Sequence, residues 1–173
     1  DVTQKAEKMT SQDYERIKNH PKFGVELLES SKDLSQSAIY VTHEHHERFD
    51  GEGYPQGLKD GKINEYARDV AIAETYEALT HPRAHREKFL PYDALKKMFE
   101  DKQRFDAKFL KVFVEKIGIY PIESLVQFSN GEIGKVIEIN SFYPLRPIVN
   151  ILYDSQHKQV TETKIIDLTK YPT

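Results

Sequence analysis

The sequence predicts a mainly α-helical body over residues 1–120, followed by a small C-terminal antiparallel β extension over residues 121–173. Three observations predict it. Up to Gly118 the apolar residues recur at helical spacing. After Pro121 they alternate in pairs, as strands do. One alternating run, SLVQFSNGEIGKVIEIN, is centred on Asn130-Gly131, a dipeptide suited to the left-handed backbone of a hairpin turn.

The elements follow in chain order. Thr10 or Ser11 caps a first helix, with Asp13 and Glu15 placed where they meet its positive end. That helix carries Tyr14 and Ile17 and breaks near His20-Pro21, because a residue before proline is pushed away from helical geometry. FGVELLESS restarts as a short helix. Ser35 to Arg48 reads as a third, with Ile39, Thr42 and His46 along one side and Val41 and His45 beside them. Asp50 to Lys62 is a loop rich in Gly and Pro. Glu65 to Thr80 is rich in Ala and keeps helical period, the strongest such signal in the chain. Pro91 opens PYDALKKMFEDK, since proline suits a first helical turn. DAKFLKVFVEKIG turns Phe109, Val112, Phe113 and Ile117 to one side and stops at Gly118. Beyond the hairpin, RPIVNILYD and KQVTETKIIDL supply further strands.

Composition narrows the function classes. The chain has 173 residues, 38% hydrophobic and 31% charged, which suits one ordinary domain with an appendage. A net charge of -3 with both signs interspersed gives no nucleic-acid stripe and no membrane-seeking patch. The extension is no electrostatic arm either, with 5 basic and 6 acidic residues from 121 onward. The absence of cysteine excludes disulfides and thiolate ligands and fits a reducing compartment. No apolar run approaches the ~20 residues of a membrane span. The opening DVTQKAEKMTSQ has no initiating Met and reads as a loop, so the chain is expected to be a piece of a longer protein.

The stretch HEHHERFDGEGYP, from His43 to Pro55, carries the chemistry. Adjacent histidines on a helix point about 100° apart, so His45 and His46 are poorly placed to chelate one ion as an i, i+4 pair does. They can serve two ions roughly 3.5–4 Å apart, a standard device for cleaving phosphoesters. Such a site also needs carboxylates. Glu74 shares a helix face with Ala67, Ala71 and Ala78, where a buried charge is expensive unless paired or coordinated. His20, just before a helix interruption, is a further possible ligand. Taken singly, each has a blander role: His20 as a helix-end hydrogen bonder, His45 and His46 as half-buried helix histidines, Glu74 solvated or paired with Arg68 or Lys88. His43 reads as a surface residue. The loop Asp50, Gly51, Gly53, Tyr54, Pro55 offers two glycines where positive φ is allowed and presents the Tyr54 ring at a defined place. Arg83 and Arg86 follow the Glu74 helix, and arginine suits bidentate phosphate binding, although two loop arginines are commonly just solvated.

HHERFDGEGYP resembles the HHE-x-x-DG-x-GYP signature of the HD-GYP domain, a branch of the HD phosphohydrolases. The resemblance continues through NHPKFGVELL, AIAETYEALT and PRAHREKFLPYDAL and covers roughly residues 10–117, and the β tail is similar to an extension found in many members. It implies an HD-type helical bundle holding a di- or trinuclear iron or manganese site, and bacterial, cytoplasmic hydrolysis of cyclic di-GMP to linear pGpG, GMP or both. It implies His20, His45, His46 and Glu74 as metal ligands, the last where the family usually has aspartate. It implies Arg83 and Arg86 as substrate-binding residues, and Asp50, Gly51, Gly53, Tyr54 and Pro55 as the motif loop.

The family's His-Asp dipeptide and the lysine after it are absent. They belong further upstream than the nineteen residues preceding His20, so the expectation is N-terminal truncation and a fragment of little activity. The competing expectation is a non-catalytic module docking a partner, such as a GGDEF-type diguanylate cyclase, through the GYP loop. Hydrolysis of a different cyclic dinucleotide is a third. No nucleic-acid polymer or membrane contact is expected, and a homodimer is compatible with the sequence.

Overall fold

The structure, a computed structural model, describes residues 10–30, 34–82 and 87–171. The chain divides into two compact units, Asp1–Leu110 and Lys111–Thr173.

In the first unit, α1 (Ser11–Lys18) starts at Thr10 through a reciprocal cap. The Thr10 hydroxyl accepts the Asp13 N–H (3.2 Å), and the Asp13 carboxylate accepts the Thr10 N–H (3.0 Å). The expected interruption is one residue wide. Asn19 ends α1, and α2 (His20–Glu29) begins at once with Pro21 in its first turn. α3 (Gln36–Glu44) is capped by the Ser35 hydroxyl and stops four residues before the expected Arg48. His45 is its C-cap, and the chain turns there because the Glu47 carboxylate is drawn into the loop that follows.

α2 and α3 form an antiparallel hairpin. Residue 24 lies against 42, where a Cβ on Gly24 would come within 2.7 Å of Thr42 Cγ2, and residue 20 lies against 45. α4 (Glu65–Thr80) packs on α3 and on α5 (Pro91–Glu100). Ile72, Leu95 and Met98 are almost wholly buried, with Ile63, Ala67, Ala94 and Phe105 also inside. At roughly 1.5–3 kcal/mol for each large side chain withdrawn from water, this core dominates the unit's stability. α6 (Ala107–Ile117) begins in this unit and ends in the next.

The second unit is a four-stranded antiparallel meander in the order β1 (Leu125–Gln127), β2 (Ile133–Glu138), β3 (Ile148–Tyr153), β4 (Gln159–Asp167). The first hairpin forms where the Asn-Gly pair predicts it. Gln127 pairs with Ile133, and Gly131 takes φ +90° in the connecting turn. Val136, Val149 and Ile151 are the buried centre, with Tyr120, Val126, Phe128 and Ile166 packed around them. No helix among the described residues is long and apolar enough to cross a membrane.

Candidate metal centre

The helical hairpin brings three histidines together from two chain segments. His20 opens α2, and His45 and His46 close α3, so the antiparallel packing of the two helices superposes those ends. Ring centroids lie 5.1 Å apart for His20 and His45, 4.8 Å for His20 and His46, and 4.2 Å for His45 and His46. Each ring offers a nitrogen, and these three atoms all lie within 4.8 Å of one another.

Protonation follows from the neighbours. Nδ1 of His20 sits 2.6 Å from the Ile17 carbonyl oxygen, and Nδ1 of His45 sits 3.0 Å from that of Val41. A carbonyl only accepts, so Nδ1 carries a proton in both rings and Nε2 is the nitrogen turned toward the other ring. These two Nε2 atoms face each other at 3.0 Å. At that distance the two nitrogens need a shared proton or a metal ion between them. With metal–nitrogen bonds of about 2.1 Å, neighbouring donors on one ion stand roughly 3.0–3.4 Å apart. Backbone carbonyls holding the outer nitrogen are also the usual way a ligating imidazole is oriented. The donor set therefore fits a metal ion.

His46 completes the set as a neutral ring. Burial, then the neighbouring His45 and His20, then Arg104, push its pKa down to about 3. Its Nδ1 lies 3.9 Å from Glu74 Oε2, too far for a hydrogen bond, so the two flank a common space. The Tyr54 ring covers His46 at 4.6 Å and 30°, and its backbone N–H donates to the His46 carbonyl (3.2 Å). Burial and the Glu74 charge push the Tyr54 hydroxyl up to about 12, so it stays protonated.

The rest of the signature builds the loop. Asp50 takes the Arg48 guanidinium in a fork (3.1 and 2.5 Å) and the Glu52 N–H (3.0 Å). Gly51 adopts φ +85°, as expected. Gly53 does not take positive φ, and its requirement is space: a Cβ there would lie 2.3 Å from the Arg48 nitrogen. Pro55 is exposed and joined to Tyr54 by a cis peptide. His43 is half-buried rather than on the surface, and accepts from the Gln56 amide (3.0 Å).

Three residues escape the sequence argument. Glu44 and Glu47 are buried, yet both are spent on backbone. Glu44 accepts the Asn64 N–H (2.6 Å) at the cap of α4, and Glu47 accepts those of Gln56 (2.7 Å) and Leu58 (2.9 Å). Arg104 lies some sixty residues downstream, with no local motif around it, and joins His45, His46, Tyr54 and Glu74 in lining a cleft of about 480 Å³. Arg83 and Arg86 lie outside the described residues.

Comparison with known proteins finds relatives of this chain. The chain is 30% identical to the cyclic di-GMP phosphodiesterase PA4108 of Pseudomonas aeruginosa, over 96% of its own length and 40% of the relative's. It is 26% identical to the cyclic di-GMP phosphodiesterase PdeB of Borreliella burgdorferi, over 87% and 40%. The chain thus spans about two fifths of these relatives. Among solved structures it resembles Bd1817, an HDG"Y"P protein from Bdellovibrio bacteriovorus, with a TM-score of 0.51 and 22% identity over 64% of this chain and 35% of that one, a likeness of fold. The model of the KOW domain associated with HD domain matches residues 125–173. The HD domain model matches residues 1–109, and the chain belongs to that family.

Proposed function

We propose that this chain carries the metal-binding and substrate-binding part of a phosphodiesterase that hydrolyses cyclic di-GMP to linear pGpG, GMP or both. The observation that carries the proposal is the pair of imidazoles whose outer nitrogens are tied to carbonyls and whose inner nitrogens meet at 3.0 Å, beside a third ring. The relatives named as cyclic di-GMP phosphodiesterases support the substrate.

His20, His45, His46 and Glu74 would hold iron or manganese, as two or three ions. Bound there, the metal would activate water for attack at phosphorus and offset the negative charge that develops. The chain's own residues do the remaining work. The Ile17 and Val41 carbonyls fix two rings, and the low pKa of His46 keeps the third uncharged and able to donate its lone pair. Tyr54 shields His46 from water and keeps a hydroxyl available as a donor. Arg83 and Arg86 would meet the phosphates. The family's His-Asp pair and lysine are absent from these 173 residues, so the chain alone is expected to bind metal weakly and turn over little.

The test is hydrolysis of cyclic di-GMP with iron or manganese, by this chain and by any longer chain that contains it, with other cyclic dinucleotides in parallel. The expected result is bound metal in both, turnover in the longer chain, and loss of both metal and turnover in H45A. Metal-free protein and no turnover in either chain would defeat the reading and leave a docking role for the Tyr54 loop.

A further inference from the structure

The cleft beside the histidines contains a cation with donors to spare. Arg104 is held there through its main chain, because its carbonyl accepts the Phe49 N–H (2.8 Å), three residues after His46. Its guanidinium rests 5.6 Å from the Phe105 ring centroid. Its Nε is buried with no hydrogen-bond partner. Among the described residues its ion contact is a single long one, Nη1 to Asp101 Oδ2 at 3.4 Å. Asp101 is also shared, lying 3.8 Å from Arg48 and accepting from Gln103. Arg48, lining the same cleft, is by contrast satisfied by its fork onto Asp50. A guanidinium has five N–H donors in a planar array matched to phosphate.

The cleft needs such a cation. Glu52 and Glu74 also line it, and their charges oppose an entering phosphate. Resting on the reading that this cleft takes a phosphodiester, we propose that Arg104 is a phosphate-binding residue, gripping a non-bridging oxygen of the dinucleotide with the partly exposed terminal N–H groups of its guanidinium.

The experiment uses the full chain as R104A, R104K and R104Q, with K102A as an exposed neighbour carrying the same charge. Cyclic di-GMP binding is measured by equilibrium dialysis with manganese, alongside metal content and thermal midpoint. A second arm compares the midpoint in inorganic phosphate and in chloride at equal ionic strength, without metal. R104A should weaken dinucleotide binding by about 10- to 100-fold, the worth of a hydrogen bond to a charged group. R104K should recover part of the loss, K102A should match wild type, and metal content should not change. Equal binding by R104A and wild type, or an equal loss in K102A, overturns the assignment. If wild type binds no cyclic dinucleotide, the functional reading is decided by the longer chain and the phosphate arm decides for Arg104. A midpoint rise specific to phosphate that R104A loses sustains the anion site, whereas no rise in wild type, or one kept by R104A, overturns it. Should R104A not fold, the same comparisons are made with R104Q.

Discussion

A methyl group added at Gly53 would sit 2.3 Å from the Arg48 nitrogen and 2.5 Å from the Glu47 Cα, backbone atoms that cannot swing aside. At Gly61 the same methyl would meet nothing within 4 Å. G53A should therefore lose about 1–3 kcal/mol or more as the loop is forced off the histidine turn, and G61A should stay within about 0.5 kcal/mol of wild type. Urea unfolding of the two variants checks this, and equal stabilities would show that the loop yields. At this scale the sequence disclosed residue types better than residue duties. His20, His45, His46 and Glu74 stood out only as a set, since each alone has a blander role. Glu44 and Glu47 looked like neighbours of the metal site, but their partners are backbone N–H groups of residues 56, 58 and 64. That pairing depends on how the loop returns past the turn, which no local spacing encodes. Arg104 was hidden for the same reason.

Elements were more legible, since apolar period and capping residues act locally. α1, α4, α5 and the Asn-Gly hairpin could all be placed from the sequence. The end of α3 could not, because helical period continues through Arg48 while the Glu47 carboxylate draws the chain away. The sheet adds an acid sensitivity of its own. Glu132 is held below the usual carboxylate range by Lys164 and Asn130, Asp154 by the Lys158 and Gln156 N–H groups, and Asp167 by the Thr169 hydroxyl and N–H. A carboxylate whose folded pKa is depressed contributes stability that is present above its unfolded value, about 4, and is lost as pH falls through the folded one. The urea midpoint of β2–β4 amide signals should thus drop between pH 6 and pH 3. Asn at 154 and 167 and Gln at 132 keep an accepting oxygen but no charge, so the triple variant should lose much of that drop. A variant retaining the full acid loss would place its cause elsewhere.

On the scale of the whole chain, the proposed ligand set belongs to one compact unit. His20, His45, His46 and Glu74 all fall within residues 1–110, and together they come from three separate stretches: the start of α2, the end of α3 and the middle of α4. An ion bound by folded protein alone stabilises it by about 2.7 kcal/mol at 100 times its Kd. Because three separated segments must be in place for the site to exist, that stabilisation should spread through the helices that carry them. Hydrogen exchange with and without manganese should show slower exchange in α2, α3, α4 and residues 47–58, reversed by chelator. Peptides from β1–β4, which carry none of these ligands, should exchange at unchanged rates. H45A should abolish the effect while keeping the metal-free exchange pattern, since Nε2 of that ring faces His20 and holds no backbone group. Equal slowing in β1–β4, or full slowing in H45A, would mean that the ion sits somewhere other than the turn where α2 begins and α3 ends.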